Sequence, residues 1–183
     1  MADFRKYVRP IANPILSDFC VKLTGISQNY VDEADTFPEV FQQLEEFLET
    51  FMIENHCVLV TDSPYDVYKF LLPACLQHDV PFPKWGKSWI NLRKIFSAFY
   101  KTERMNIAGM LQHLGLDFDG RLHCGLDDAK NIAKILLVLL KDGCEPSLNE
   151  GLDRDSHSLI KKQISPKKGT TETLNAAMSS VAI

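Results

Sequence analysis

No apolar run in the sequence is long enough to cross a membrane, and the N-terminus, MADFRKYVRP, lacks the apolar core of a signal peptide. The five cysteines are odd in number and include no CxxC pair, which argues against a disulfide framework and a zinc site. The net charge of −4 excludes a general polycation. These absences predict an intracellular protein, cytoplasmic or nuclear, that makes no membrane contact and binds nucleic acid only through a local basic surface.

Composition divides the chain in two. Residues 1–150 have the hydrophobic content of one folded domain, whereas residues 151–183 are polar and show no sustained period. We therefore predict a disordered tail after residue 150. Its KKQISPKK segment (161–168) fits either a nuclear-import patch or, more simply, a solvated stretch.

Short apolar segments alternate with segments of helical period, which predicts an α/β layer fold. Gly25 is a natural end for a first helix, and Thr36 or Asp35 can cap the helix that contains Pro38. The predicted strands are 4–9, 57–62 (CVLVTD, expected to be buried) and 89–92. The predicted helices are 17–23, one after Pro38, 66–76 (disturbed by Pro73), one up to about Tyr100, 107–114 and 126–140.

Two short strings suggest a nucleotide-driven helicase, DEAD (32–35) and GKS (86–88). A phosphate loop requires glycine at the first position of GxxxxGK[ST], where backbone N–H groups wrap the phosphates. That position is Pro81, which has no N–H, so this interpretation is rejected.

The strongest chemical signal is HCGLDD (123–128), which precedes an apolar helix. Asp127 and Asp128 can simply cap that helix, and His123 can be an ordinary surface histidine. A functional interpretation is that the intervening glycine lets His123 and Asp128 face one cavity. Asp66, which follows the strand 57–62, would then join them at the strand ends where sites form in α/β sheets.

At these residues the sequence resembles a known family. HxxLDDAxNIA is very similar to the third motif of the DEDDh 3′–5′ exonucleases, and VTDSPYDVYKFL resembles their second motif. The segment GRLHCGLDDAKNIAKI is similar to the corresponding motif of the Eri-type 3′–5′ exoribonucleases, which trim histone mRNA ends, small RNAs and ribosomal RNA. The similarity runs in order from residue 4 to about 150, and it implies a ribonuclease-H-like α/β fold with a mixed sheet flanked by helices.

The resemblance also implies residue roles. Asp66 would help to hold a second metal ion, Asp128 would ligate the first, and His123 would act as general base on the attacking water. Two Mg²⁺ or Mn²⁺ ions suit phosphodiester hydrolysis, and imidazole titrates near neutral pH. Leu23 and Thr24, in LTGI, would lie near the terminal nucleotide.

The first family motif, a D-x-E pair on a central strand, has no counterpart among the 183 residues. The resemblance implies that one of its acids bridges both metals, and that its segment forms two strands in the middle of the sheet. We therefore expect an N-terminally truncated domain that lacks its first strands, holds metal poorly and has an open strand edge.

The segment 84–104 carries six Lys or Arg and one Glu, interleaved with aromatic residues. Lys87, Arg93 and Lys94 are candidates for a rim that contacts RNA, and the aromatics either stack on bases or form the core of an amphipathic helix. Two functions remain open at this point. One is an impaired 3′–5′ exoribonuclease acting on RNA 3′ ends, possibly stem-loops; the other is a non-catalytic module that binds RNA or a protein partner.

Overall fold

The computed structural model of the protein describes residues 2–51, 57–152 and 181–182. The strands are β1 (Arg5–Lys6), β2 (Leu59–Thr61), β3 (Ser88–Asn91), β4 (Glu150–Gly151) and β5 (Val181–Ala182). The α-helices are α1 (Asp18–Thr24), α2 (Gln28–Asp32), α3 (Phe37–Glu49), α4 (Leu72–Gln77), α5 (Leu92–Tyr100), α6 (Ile107–His113) and α7 (Gly125–Lys141). A π-helical turn (Asp66–Leu71) precedes α4, and a 3₁₀ turn (Lys84–Gly86) precedes β3.

A mixed sheet lies between the helices and has the order β2–β3–β4. Strand β2 runs parallel to β3, with Val60 opposite Ile90, and β4 is antiparallel to β3. The segment between the parallel strands contains α4, as a crossover connection requires. The predicted mixed α/β architecture is confirmed. A separate ladder pairs β1 with β5.

Local capping chemistry sets several helix ends where the sequence predicted them. Ser17 accepts a hydrogen bond from the Cys20 backbone N–H at the start of α1, and Gly25 ends that helix with φ 72°. Thr36 and Glu39 form a capping box at the start of α3.

Three predicted elements differ from the structure. The strand expected over 4–9 is confined to β1, and the segment 57–62 is not the buried strand expected, since Val58 is 57% exposed. The helix expected over 66–76 is split into the π-helical turn and α4. Pro73 lies at the start of α4, where its missing N–H interrupts the helical hydrogen-bond ladder.

Buried side chains form three clusters, which lie around α3, between α5, α6 and α7, and around α1 and α2.

One edge of the mixed sheet has no partner among the described residues, because β2 pairs with β3 on one side only. The short, partly apolar strand β2 is therefore an open edge of the kind that pairs with a further strand. Helix α7 also leaves two large apolar side chains exposed, Leu137 at 58% and Leu140 at 46%.

The predicted boundary at residue 150 falls within β4. The predicted tail lies outside the described residues from 153 to 180, and so does KKQISPKK. None of the helices in the described part of the chain is long and apolar enough to span a membrane.

Candidate functional site

Acidic residues gather where β2 ends. Asp62 follows the strand directly, and Asp66 begins the π-helical turn. The Asp66 carboxylate lies 3.4 Å from both the backbone N–H and the hydroxyl of Ser63. Although Asp66 is solvent-exposed, desolvation by the surrounding protein raises the pKa of its carboxyl group, and the negative charge of Asp62 adds to this rise.

Asp62 is paired with Arg93, from the first turn of α5. Arg93 Nε donates to Asp62 Oδ1 at 2.8 Å, and Arg93 Nη2 contacts Oδ2 in the same two-point pair. The hydrogen bond to Asp62 is the main reason that the pKa of the Arg93 guanidinium rises. Asp62 therefore carries its charge in an ion pair, which makes it a poor substitute for a missing metal ligand.

Asp128 and His123 meet at the N-terminus of α7. His123 lies two residues before the helix and Asp128 lies in its first turn, and the charge of His123 favours the ionised form of the Asp128 carboxylate. Burial raises the pKa of Asp128, an effect to which the charges of Asp62 and Asp127 contribute. Since Asp62 acts on both Asp66 and Asp128, the fold brings the three predicted residues Asp66, His123 and Asp128 to one region.

The neighbouring Asp127 has a different role. Its carboxylate accepts the Arg121 backbone N–H at 2.9 Å, and this bond lowers the pKa of Asp127. Asp127 therefore ties the loop before α7 to the first turn of that helix.

The sequence analysis assigned no role to Asn131, which lies one turn after Asp127 and is completely buried. Its amide accepts the Asp119 backbone N–H at 3.0 Å and donates to the carbonyl groups of Asp119 and Asp127, each at 2.8 Å. Asn131 thus ties the loop before His123 to α7. The sequence feature that could have indicated this role is a polar residue within the buried stripe of an otherwise apolar helix.

The LTGI segment lies against the same loop. Arg121 Nη2 donates to the carbonyls of Lys22 and Leu23, at 3.0 and 3.2 Å. Thr24 directs its hydroxyl to the Cys20 carbonyl at 2.8 Å and accepts from the Ile26 N–H. Leu23 and Thr24 are therefore held next to the loop that carries His123, with the Thr24 hydroxyl occupied within α1.

The predicted basic rim is only partly available for RNA. Arg93 is paired with Asp62, and Lys94 Nζ lies 2.8 Å from Glu150. Lys87 is exposed. The core interpretation is confirmed for two aromatics of this segment, Trp89 and Phe96, which are fully buried; Phe99 is 36% exposed.

Within the described ranges, no group of three or more His, Cys, Asp or Glu side chains is arranged to hold a metal ion. Asp62 is held in an ion pair and Asp127 bonds the Arg121 backbone, which leaves Asp66 and Asp128 as the candidate ligands. Two carboxylates are too few for a pair of closely spaced divalent ions, which need bridging and flanking oxygen ligands. The described residues alone do not complete a two-metal site.

Comparison with known proteins gives a consistent result. The exonuclease family model (RNase_T) matches residues 2–136. The human protein "3'-5' exoribonuclease 1" is 46% identical over 151 residues, which cover 80% of this chain and 43% of that protein. The fission yeast "3'-5' exonuclease eri1" is 34% identical over 170 residues, covering 80% of this chain and 57% of its own length. The chain spans about half the length of the curated relatives it matches.

Solved structures agree with the sequence comparison. One describes 3′-end specific recognition of a histone mRNA stem-loop by a 3′-exonuclease; it aligns with a TM-score of 0.80 at 44% identity, covering 82% of this chain and 69% of that chain. Another is the nuclease domain of 3'hExo, a DEDDh family member bound to rAMP, with a TM-score of 0.79 at 45% identity, covering 81% and 76%. The cell-death related nuclease CRN-4 aligns with 98% of this chain and 66% of its own, with a TM-score of 0.76 at 27% identity.

Proposed function

The chain belongs to the exonuclease (RNase_T) family, and its relatives are DEDDh 3′–5′ exoribonucleases. We propose that it is a 3′–5′ exoribonuclease domain, which removes 3′-terminal nucleotides from RNA, including stem-loop RNA, once its metal site is complete. His123 takes the proton from the water that attacks the last phosphodiester bond. Asp66 and Asp128 would contribute ligands for divalent ions, Mg²⁺ or Mn²⁺, whose charge would stabilise the reacting phosphate. Leu23 and Thr24 line the pocket of the terminal nucleotide.

The observation that carries the proposal is electrostatic: Asp128 interacts with both His123 and Asp62, and Asp62 in turn interacts with Asp66. A general base must lie close to the group that positions its water. The position of His123 two residues before α7, with Asp128 in the first turn of that helix, supports this relationship.

The metal site needs acids that the described residues do not supply. We propose that a strand carrying a D-x-E pair completes the site by pairing with the open edge of β2, next to Asp62 and Asp66. The 183 residues contain no D-x-E, so this polypeptide on its own would have little or no trimming activity.

The test is trimming of a 5′-labelled stem-loop RNA with Mg²⁺, with Mn²⁺ and with chelator. The polypeptide is compared with a fusion that adds an apolar strand containing D-x-E, joined ahead of residue 1. We expect metal-dependent trimming by the fusion, and loss of that trimming in its Asp128→Ala and His123→Ala forms. Asp117→Ala is the matched control, because Asp117 is an exposed aspartate of the loop before α7.

Two results would contradict parts of the proposal. Strong metal-dependent trimming by the 183-residue polypeptide itself would mean that other acids replace the D-x-E pair. If circular dichroism shows that the fusion is folded and the fusion is still inactive, the explanation based on the added D-x-E strand is contradicted.

The second candidate is a non-catalytic module that binds RNA or a protein partner. It is favoured by the absence, among the described residues, of a group able to hold a metal. This function predicts RNA affinity that survives both chelator and Asp128→Ala. The affinity should fall when Lys87 is neutralised, and less so for Arg93 and Lys94, whose charges are already paired. Loss of binding on chelation would exclude it.

A further inference from the structure

Two tyrosines form a stack on the surface of the described chain. The rings of Tyr7 and Tyr30 are 5.1 Å apart between centroids and nearly parallel, with an interplanar angle of 7°. Tyr7 is partly buried against the cluster of α1 and α2, whereas Tyr30 is 55% exposed. Since Tyr7 covers one face of the Tyr30 ring, so large an exposure leaves the other face open to solvent.

The residues around Tyr30 hold it in place. Val31, the next residue of α2, is completely buried in the cluster. The Gln28 side chain accepts the Leu16 backbone N–H at 2.8 Å and donates to the Pro14 carbonyl at 2.9 Å. It also donates to Asp32 at 2.7 Å, so this carboxylate of α2 is already engaged. The Tyr30 ring is therefore presented by an anchored helix, which lowers the entropic cost of stacking a ligand on it.

A cationic side chain adjoins the stack. The Arg5 guanidinium lies 5.3 Å from the centroid of the Tyr7 ring, and its Nη2 donates to the Tyr7 hydroxyl at 3.0 Å. Aromatic faces beside Lys or Arg are what proteins use to bind single-stranded nucleic acid, because bases stack on rings while cations neutralise the phosphates.

The stack lies beside the helix that carries Asp128. Asp3, two residues before Arg5, forms an ion pair with Lys130 of α7 at 2.7 Å. The N-terminal segment that contains Arg5 and Tyr7 is therefore attached to α7 two residues beyond Asp128. A strand of RNA whose 3′ end lies at Asp128 can run from α7 towards Tyr7 and Tyr30.

We propose that the open face of Tyr30, supported by Tyr7 and flanked by Arg5, stacks an unpaired base of RNA upstream of the 3′-terminal nucleotide. This inference rests on the proposed function for its choice of RNA as ligand. It adds a second contact, away from the residues that act on the scissile bond. The contact favours single-stranded 3′ tails, because paired bases have no free face to offer.

The experiment measures binding of a fluorescein-labelled, unstructured RNA of about twelve nucleotides by anisotropy, in chelator so that the RNA stays intact. A second RNA has the same length and phosphates but abasic ribose at every position upstream of the last two nucleotides. Tyr30→Ala is compared with Tyr30→Trp and with Phe51→Ala. Phe51 is the matched control because it is equally exposed, at 57%, and lies at the end of α3. We expect Tyr30→Ala to weaken binding of the normal RNA about tenfold, which corresponds to ~1.4 kcal/mol.

The remaining arms are expected as follows. Tyr30→Trp retains full affinity, Phe51→Ala changes nothing, and neither Tyr30 variant alters binding of the abasic RNA. Arg5→Gln weakens both RNAs and reduces the salt dependence of binding. Cross-linking of 5-iodouridine placed upstream of the 3′ end should label the peptide that contains Tyr30.

The inference is overturned if Tyr30→Ala binds the normal RNA as tightly as the unchanged protein. Equal losses on normal and abasic RNA would also overturn it, because the lost contact would then not involve a base. The measurement needs no metal and no catalysis. Failure of the trimming proposal and failure of this one are therefore seen in different experiments.

Discussion

The guanidinium group of Arg121 occupies the space that a side chain at position 25 would need. A Cβ atom built on Gly25 would overlap Arg121 Nη1, and Gly25 has φ 72°. Arg121 reaches this place to donate to the last carbonyls of α1, which attract a cation at a helix C-terminus. The loop that carries His123 and the segment that contains Leu23 are therefore locked together.

Gly25→Ala should destabilise the protein more than the same change at Gly115. Both glycines have similar positive φ, 72° and 68°, but no atom lies within 4 Å of a Cβ built on Gly115. Gly115→Ala thus reports the backbone strain alone, about 1 kcal/mol, and Gly25→Ala adds the displacement of Arg121. Urea unfolding measures both; equal losses would show that Arg121 moves aside without cost.

Asp128→Asn should raise the melting temperature at neutral pH. The folded-state pKa of Asp128 lies above the ordinary value of 3.8, so the folded protein binds more protons than the unfolded chain between those two values. Stability from this group therefore falls as pH rises through the interval, and the charged form opposes folding at pH 7. Calorimetry from pH 3 to pH 7 should show a benefit of Asp128→Asn that disappears below the ordinary value.

Asp127→Asn is the matched control with the opposite sign. The folded-state pKa of Asp127 is lowered, chiefly by the Arg121 backbone N–H, so its charged form favours folding. That contribution is present above the unfolded pKa and is lost as pH falls through the folded one. Replacement should therefore lower the melting temperature at pH 7. The same sign for both variants would contradict the assignment of separate roles to the two aspartates.

Asn131→Ala should lower the free energy of unfolding by about 3 kcal/mol. It removes three buried hydrogen bonds, and it leaves the backbone N–H and carbonyl of Asp119 without the Asn131 amide as their partner. Asn106→Ala provides the comparison. The Asn106 side chain accepts one hydrogen bond, from the Gly109 backbone at 2.9 Å, so this helix cap should cost about 1 kcal/mol. Hydrogen exchange should show that Asn131→Ala also loosens residues 119–124, whereas Asn106→Ala does not.

Arg93→Gln should lower the unfolding free energy by about 1 kcal/mol after allowance for solvent screening, since it leaves the Asp62 carboxylate unpaired. The double variant Arg93→Gln, Asp62→Asn should recover most of the lost unfolding free energy, because it also removes the unpaired charge of Asp62. A double-mutant cycle gives the coupling free energy directly. Additive losses would show that the pair contributes little.

The sequence predicted the features that depend on nearby residues. Ser17, Gly25 and Thr36 set helix ends through bonds or backbone angles within a few positions, so local chemistry was sufficient. The candidate site residues were identified from sequence motifs, and the fold brings Asp66, His123 and Asp128 to one region. Their roles in catalysis stay a prediction.

Features that join distant parts of the chain escaped the sequence analysis. Arg121 contacts Leu23 across 98 positions, and no periodicity reports such a pairing. Helix α2 has only five residues, too few to show a helical period. The exposure of Val58 was missed because an apolar, β-branched segment predicts a strand without stating what covers it.

His123 adopts φ 64°, a left-handed backbone angle that few side chains occupy without strain. Glycine at this position would relieve the strain and is expected to make the turn more stable. Selection for stability alone would therefore favour loss of the imidazole, and selection for chemistry would preserve it. If His123 is the general base proposed above, related chains with histidine at this position should trim RNA, whereas related chains with glycine should fold more stably and not trim.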